Sequence, residues 1–432
     1  MTENVNRRDL LTRGSALALG LLVGGAAGLH AEEIVGPATP EPEPQATATP
    51  PAPVKVAVIG LGEQGRALLT SLSYVPGAVV SHVCDTYTPA HKRALELFPQ
   101  ATAVTDYKAV LSDAGVQGVY IATPSHLHKQ IVLDALAAGK HVYCEAPLAS
   151  SVADAKAIAQ AAKAAAPKVI FHSGLQYRTN PQHKHVLSFV RTGALSTLVQ
   201  AKAHWHKKGS WRRAAPSDKR QDELNWRLDK ATSGGLLGEI GIHQIDVTSW
   251  FAKSLPKAVT GFGGILAWND GRDVPDTVQC LLEYDGGVHL TYDATLANSF
   301  DGAYELFQGT DAAVLLRGQR AWMFKEVDAQ ALGWEVYAYK ELVGDDTGIA
   351  LVADATKLLA EGKEPGKNRD IDPKKSPQYY ACETFVKALR AGKQAEEVGP
   401  QEGYEATVVA LTANEAILTG KRIEFTKEMF TL

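Results

Sequence analysis

The sequence predicts an α/β fold that opens with a doubly wound parallel sheet, and three observations carry that expectation. From Val54 onward short apolar runs alternate with amphipathic stretches, the pattern of strands joined by crossover helices. The first run passes directly into Gly60-Leu61-Gly62-Glu63-Gln64-Gly65. An acid, Asp85, closes the second run about 20 residues further on, which is where a dinucleotide-binding unit places one. The 432 residues leave room for a second domain with its own core,.

Strands are expected at Val54–Ile59, Val79–Cys84, Val116–Ala122, His141–Cys144 and Lys168–His172. Beyond Gly174, strand-like runs at Leu198–Trp205, Ala258–Ala267, Thr277–Glu283 and Val288–Ala294 follow closely, with no helical crossover between the last three. Such spacing suits antiparallel pairing. The chain therefore divides into residues 54–175, a Rossmann-type nucleotide domain, and residues 176–432, a C-terminal α/β domain.

In the glycine loop, Gly60 allows the tight turn, Gly62 lets backbone N–H groups approach a pyrophosphate, and Gly65 lets the helix pack on the strand. Glu63 and Gln64 stand at the helix entry and belong to the same cofactor-binding set. The Asp85 carboxylate suits ribose hydroxyls and repels a 2′-phosphate, which favours NAD over NADP. The run Val116–Ala122 ends in Thr123-Pro124-Ser125-His126-Leu127-His128. Its proline stops the ladder beside the cofactor position, and His126 and His128 are candidates to bond the cofactor or to cap the next helix.

Two further stretches carry candidate chemistry. Ser233 to Asp246, SGGLLGEIGIHQID, reads as a glycine-rich turn entering a helix, with Glu239 and His243 four apart. That spacing puts both on one helical face, where the carboxylate would orient or charge the imidazole. The second stretch is HWHKKGSWRR with NWRL, which interleaves Trp211 and Trp226 with Arg212, Arg213 and Arg227. Indole faces stack on sugar rings, and guanidinium groups donate directionally to hydroxyls or carboxylates. His204 and His206 lack a nearby third ligand in the sequence, so no metal is expected.

The strings ATPSHLHKQIVLDALAAGKHVYCEAPLA and SGGLLGEIGIHQID, taken with the glycine loop, resemble the glucose-fructose oxidoreductase, inositol dehydrogenase and MocA (Gfo/Idh/MocA) family over nearly the whole chain after Pro53. The resemblance implies a C-terminal domain with a large, mainly antiparallel sheet that covers a sugar site and often mediates oligomers, here a dimer or tetramer. It places Glu145 and Pro147 at the cofactor and Asp246 at the substrate. His243 matches the family's catalytic histidine, and Tyr177 is a second proton-transfer candidate. Glu239 stands where the family usually has aspartate. Ala146 replaces the family lysine of the tripeptide Glu-Lys-Pro, so either activity is lost or another residue carries the proton. The implied function is NAD(P)-dependent oxidoreduction of a sugar or glycoside with tightly bound NAD. Redox-neutral glycoside cleavage, as in glycoside hydrolase family 109, and a catalytically silent sugar- or nucleotide-binding protein are the alternatives.

Residues 1–31 carry Arg7 and Arg8 before the Ala/Gly/Leu-rich run Ala16 to Leu29. This resembles a twin-arginine export signal and is short for a membrane span; a periplasmic or cell-envelope location follows. Residues 32–53 form a proline-rich arm or linker,. A formal charge of -4 without a basic stripe gives no footing for nucleic acid,. The four cysteines show no close-spaced metal pattern, and no disulfide framework is expected,.

Overall fold

The computed structural model describes residues 52–333, 335, 338–353, 372 and 374–432. The expected export signal and residues 32–51 of the arm lie outside the described residues. Strands β1 (Val54–Ile59), β2 (Ala78–Cys84), β3 (Thr102–Val104), β4 (Gly118–Ile121), β5 (His141–Cys144) and β6 (Phe171–Ser173) form a parallel sheet in the order β3-β2-β1-β4-β5-β6. The order reverses between β1 and β4, so a ligand crevice opens at their carboxyl ends. The strand expected at Val116–Ala122 shortens to four residues, and β3, three residues long, carries too little pattern to be read from sequence.

The second sheet runs β14-β15-β13-β12-β11-β7-β10-β9-β8-β16. Its members are β7 (Leu198–His206), β8 (Ala258–Gly264), β9 (Thr277–Glu283), β10 (His289–Thr295), β11 (Ala303–Gly309), β12 (Ala312–Arg317), β13 (Arg320–Lys325), β14 (Lys340–Val343), β15 (Asp346–Ala350) and β16 (Ile423–Glu424). All its pairs are antiparallel except β7 with β10. The sheet is thus mainly antiparallel, as expected, and larger than the four sequence runs indicated.

Four helices position the site: α1 (Glu63–Leu72), α2 (Ile242–Ala252), α3 (Pro377–Ala391) and α4 (Pro400–Thr419). The two C-terminal helices do not stay with the second sheet. Tyr379, Cys382, Phe385 and Val386 of α3 share a core with Val56, Val58, Tyr120 and Tyr143 of the first sheet. Tyr404 and Val408 of α4 join the core on that sheet's other face, while Val409, Ala413 and Ile417 pack with the second sheet. The nucleotide domain, expected to end at residue 175, therefore takes part of its cover from 200 residues later.

All four cysteines are free and buried. Among the described residues no helix is long and apolar enough to cross a membrane.

Phe385 is fully buried, edge-on to Tyr120 at 5.2 Å between ring centroids. Phe385→Ala should lower the stability of the nucleotide domain by about 3–5 kcal/mol in chemical unfolding; a loss under about 1 kcal/mol would mean that α3 is only loosely docked.

Candidate active site

The cofactor end is built by close backbone approach. Gly60 has φ +93°, and a Cβ there would meet the Ala122 carbonyl at 2.6 Å. At Gly65 a Cβ would lie 1.8 Å from the Gly60 oxygen, so strand and helix pack in a way only glycine permits. Gly62 caps α1 without a side-chain bond, and the space a Cβ would occupy there is open. Uncapped N–H groups at a helix start fit a pyrophosphate. Asp85 accepts from Leu61 N at 2.8 Å and from Tyr87 N at 2.7 Å, which fixes its carboxylate beside the loop. These residues fit a dinucleotide.

Gln64 donates to Glu145 at 3.0 Å, joining the glycine loop to the end of β5. Glu145 is buried, and that burial pushes its carboxyl up to about 7. Glu63, at the same helix entry, is exposed and its side chain pairs with Arg213 at 2.6 Å. His128 is engaged by backbone carbonyls. It is buried with Nε2 2.9 Å from the Thr123 carbonyl and Nδ1 3.1 Å from that of Pro147. It braces the ends of β4 and β5 against each other rather than facing the cofactor. Thr123 Oγ1 and His126 Nδ1, by contrast, are buried without partners, and polar atoms left so fit a ligand that completes them. Pro124 and Pro147 shape the backbone between these groups; Ala146 lies half-buried against Leu175, Ile242, Ala406 and Ala410.

The expected Glu239–His243 partnership does not form. Leu237–Gly241 winds as a π-helix before α2, which alters the angular offset that four residues have in an α-helix. Glu239 accepts from Ser125 Oγ at 2.9 Å and from Gly234 N at 3.1 Å, with Arg227 Nε 3.7 Å away. Burial raises its carboxyl, against the Arg227 charge and these hydrogen bonds. Glu239 is a strut between the first-sheet rim and α2.

His243 is left with Nδ1 unpartnered. Burial lowers it to about 4, so the imidazole is neutral at neutral pH and can accept a proton,. Tyr177 lies edge-on to it at 6.0 Å and stacks on His183 at 4.5 Å. Burial, with the nearby Glu305, pushes the Tyr177 hydroxyl well up, so it stays protonated and can donate a hydrogen bond,. Asp246 is buried, and both its oxygens are held by Arg178 at 2.8 and 2.9 Å.

Among the aromatic candidates, Arg227 lies over Trp226 at 4.5 Å and over Trp211 at 5.8 Å, beside Glu239. His126 faces Trp226 at 5.9 Å. The structure thus brings Trp211, Trp226, Arg227 and His126 together. Arg212 is engaged elsewhere, with Asp270, and Arg213 with Glu63.

Sequence reasoning passed over Ser125, His183 and Glu305. Glu305 is buried on β11 and pushed up to about 7 by that burial. Its signal was an acid in phase with the inward Phe307, visible only once that strand is recognised.

A family model described as "Oxidoreductase family, NAD-binding Rossmann fold" matches residues 54–172, and one described as "GFO/IDH/MocA C-terminal domain" matches residues 183–314. The 2,7-anhydro-N-acetylneuraminate hydratase of Escherichia coli (strain K12) is 25% identical over 378 residues, spanning 84% of this chain and 94% of that protein. A glycosyl hydrolase family 109 protein of Shewanella sp. (strain W3-18-1) is 27% identical over 233 residues, 49% of this chain and 50% of its own. The fold is shared with a levoglucosan dehydrogenase solved with NADH and L-sorbose, at TM-score 0.69 and 20% identity, over 86% of this chain and 99% of that one.

The raised Glu145 carboxyl has a stability consequence. Its folded value, about 7, exceeds the ordinary 4.5, so its contribution is full below pH 4.5 and is lost as pH rises through 7. Wild type should lose up to about 3 kcal/mol relative to Glu145→Gln between pH 5 and 8, measured by parallel denaturant melts; a pH-independent difference would show the group to be ionised throughout.

Proposed function

Because the chain belongs to the Gfo/Idh/MocA oxidoreductase family, we propose that it is an NAD-dependent enzyme that oxidises a ring hydroxyl carbon of a sugar or glycoside and keeps its NAD through the cycle. The observation that carries this reading is the neutral His243, its Nδ1 unpartnered, beside Tyr177. Gly60, Gly62, Gly65, Asp85, Thr123 and Glu145 would hold the cofactor. Bound NAD supplies the hydride acceptor and, once reduced, the donor. His243 takes the hydroxyl proton as the carbon is oxidised, which gives the work of the absent lysine to an imidazole. Trp211 and Trp226 offer faces to the sugar, and Arg227 offers donors to its hydroxyls.

A second reading is favoured by Tyr177 as a further proton-transfer candidate beside His243, stacked on His183 and near Glu305. Oxidation at C3 makes the C2 proton acidic; a base removes it, the C1 substituent leaves, water adds, and the hydride returns to C3. The E. coli hydratase and the family 109 protein belong with this redox-neutral branch in name. Export through Arg7 and Arg8 would support either cycle with held cofactor, since a location outside the cytoplasm offers little free NAD to exchange. A sheet-mediated homo-oligomer is part of the same proposal.

Two measurements test the proposal. Denaturing the purified protein should release near-stoichiometric nicotinamide dinucleotide, and His243→Asn should keep that content while losing about 10²–10⁴-fold in turnover on an active glycoside. An empty protein that binds no added NAD would overturn the proposal. Turnover in heavy water should place deuterium at C2 if the redox-neutral branch operates; its absence with net reduction of NAD would establish simple oxidation.

A further inference from the structure

A second cluster lies on the other face of the second sheet. Along β7, Ala201, Ala203 and Trp205 pack into the core, so His204 and His206 point to the opposite side. Their rings stack at 4.2 Å. On the parallel neighbour β10, Asp293 stands opposite His204 in register. The third ligand that the sequence did not show near these histidines is therefore supplied from 87 residues beyond His206.

We propose that His204, His206 and Asp293 form a divalent-metal site of the zinc class that pins the end of β7 to β10. One donor atom from each of the three lies within 4.8 Å of the others, and two imidazoles with a carboxylate are a common zinc donor set. The ring nitrogens are prepared for it. His206 Nδ1 is 3.0 Å from the Phe300 carbonyl and Nε2 hydrogen-bonds the Asp293 carboxylate, so in the metal-free chain a proton sits where a cation would join the two groups. Metal-bound histidines characteristically donate their other nitrogen to a carbonyl in this way.

His204 provides an independent observation. The residue is more than nine-tenths buried, and its Nε2 has no hydrogen-bond partner. Asp301 Oδ2 is 3.7 Å from that nitrogen, on a residue held at φ +68° whose other oxygen takes Arg317 at 2.6 Å. The same loop is tied to the chain after β7, since His206 N donates to Gly302 O at 2.7 Å and Lys208 N to Ser299 Oγ at 2.7 Å. A metal here positions the segment that leads to Trp211 and takes no part in hydride transfer.

The test uses the whole purified chain, stripped with a chelator and titrated with Co²⁺ and then Zn²⁺. One equivalent of cobalt should give the visible absorption of nitrogen and oxygen coordination, and zinc should displace it. Asp293→Ala and His206→Ala should each weaken this binding at least ~100-fold, while His289→Ala, an exposed histidine at the start of β10, should leave it unchanged. Asp293→Asn, near-isosteric, serves if the alanine variant does not fold. A stripped wild type that takes up neither metal stoichiometrically, or equal binding by wild type and both asparagine and alanine variants at 293, would overturn the proposal. An imidazolium signal from His206 that is indifferent to added zinc would do the same, by establishing an ion pair with Asp293.

Discussion

Helix α4 is apolar on two sides, and each side is covered by a different sheet. Tyr404 and Val408 face the nucleotide domain, Val409 and Ala413 face the second sheet, and Ala406 and Ala410 touch Ala146, Leu175 and Ile242 at the cleft. Everything near it must come close. A Cβ at Gly403 would strike Ser173 at 2.7 Å, one at Gly235 would meet Asn414 at 2.3 Å, and one at Gly234 would meet Leu411 at 2.9 Å. The glycine-rich turn before α2 thus serves contact with α4. Removing polar and bulky groups along this helix is what lets two sheets share one buried element, since packed interiors leave no slack for an extra carbon.

That docking sets the chemistry of the cleft. With α2 pressed against the first-sheet rim, Ser125 reaches Glu239 and the π-turn seats the carboxylate in a nest of donors. His243, one turn on, is left in an apolar setting that favours its neutral form,. The same burial raises Glu145 and Glu305. One physical cause, desolvation, therefore pushes the imidazole down and the carboxyls up, so that each of these groups favours its uncharged form,. Ala146 fits this setting because its methyl joins the apolar contact with Ile242.

Candidates near in sequence diverged once partners far in sequence were present. Arg212 and Arg213 are neighbours, yet one pairs with Asp270 and the other with Glu63 across the cleft mouth. Arg227 alone of the three remains beside both tryptophans. Trp211 holds φ +64°, a region costly for a bulky side chain,, and its place in the aromatic group is maintained by the surrounding structure rather than by local preference.

The sequence alone determined the parallel sheet, the glycine loop and Asp85, because those depend on contacts within one strand-turn-helix unit, where spacing encodes geometry. It also singled out His243, through resemblance, and Tyr177 as candidates for proton transfer. Tertiary structure decided the partners. Asp246 went to Arg178, 68 residues away, and Glu239 to Ser125, 114 residues away. It likewise decided that Asp293 meets His204 and His206, and that α3 and α4 return to cover the first sheet. A side chain's partner is whichever group the packed fold brings to it, and no local period records that distance; a backbone turn is settled by the sterics of its own few residues.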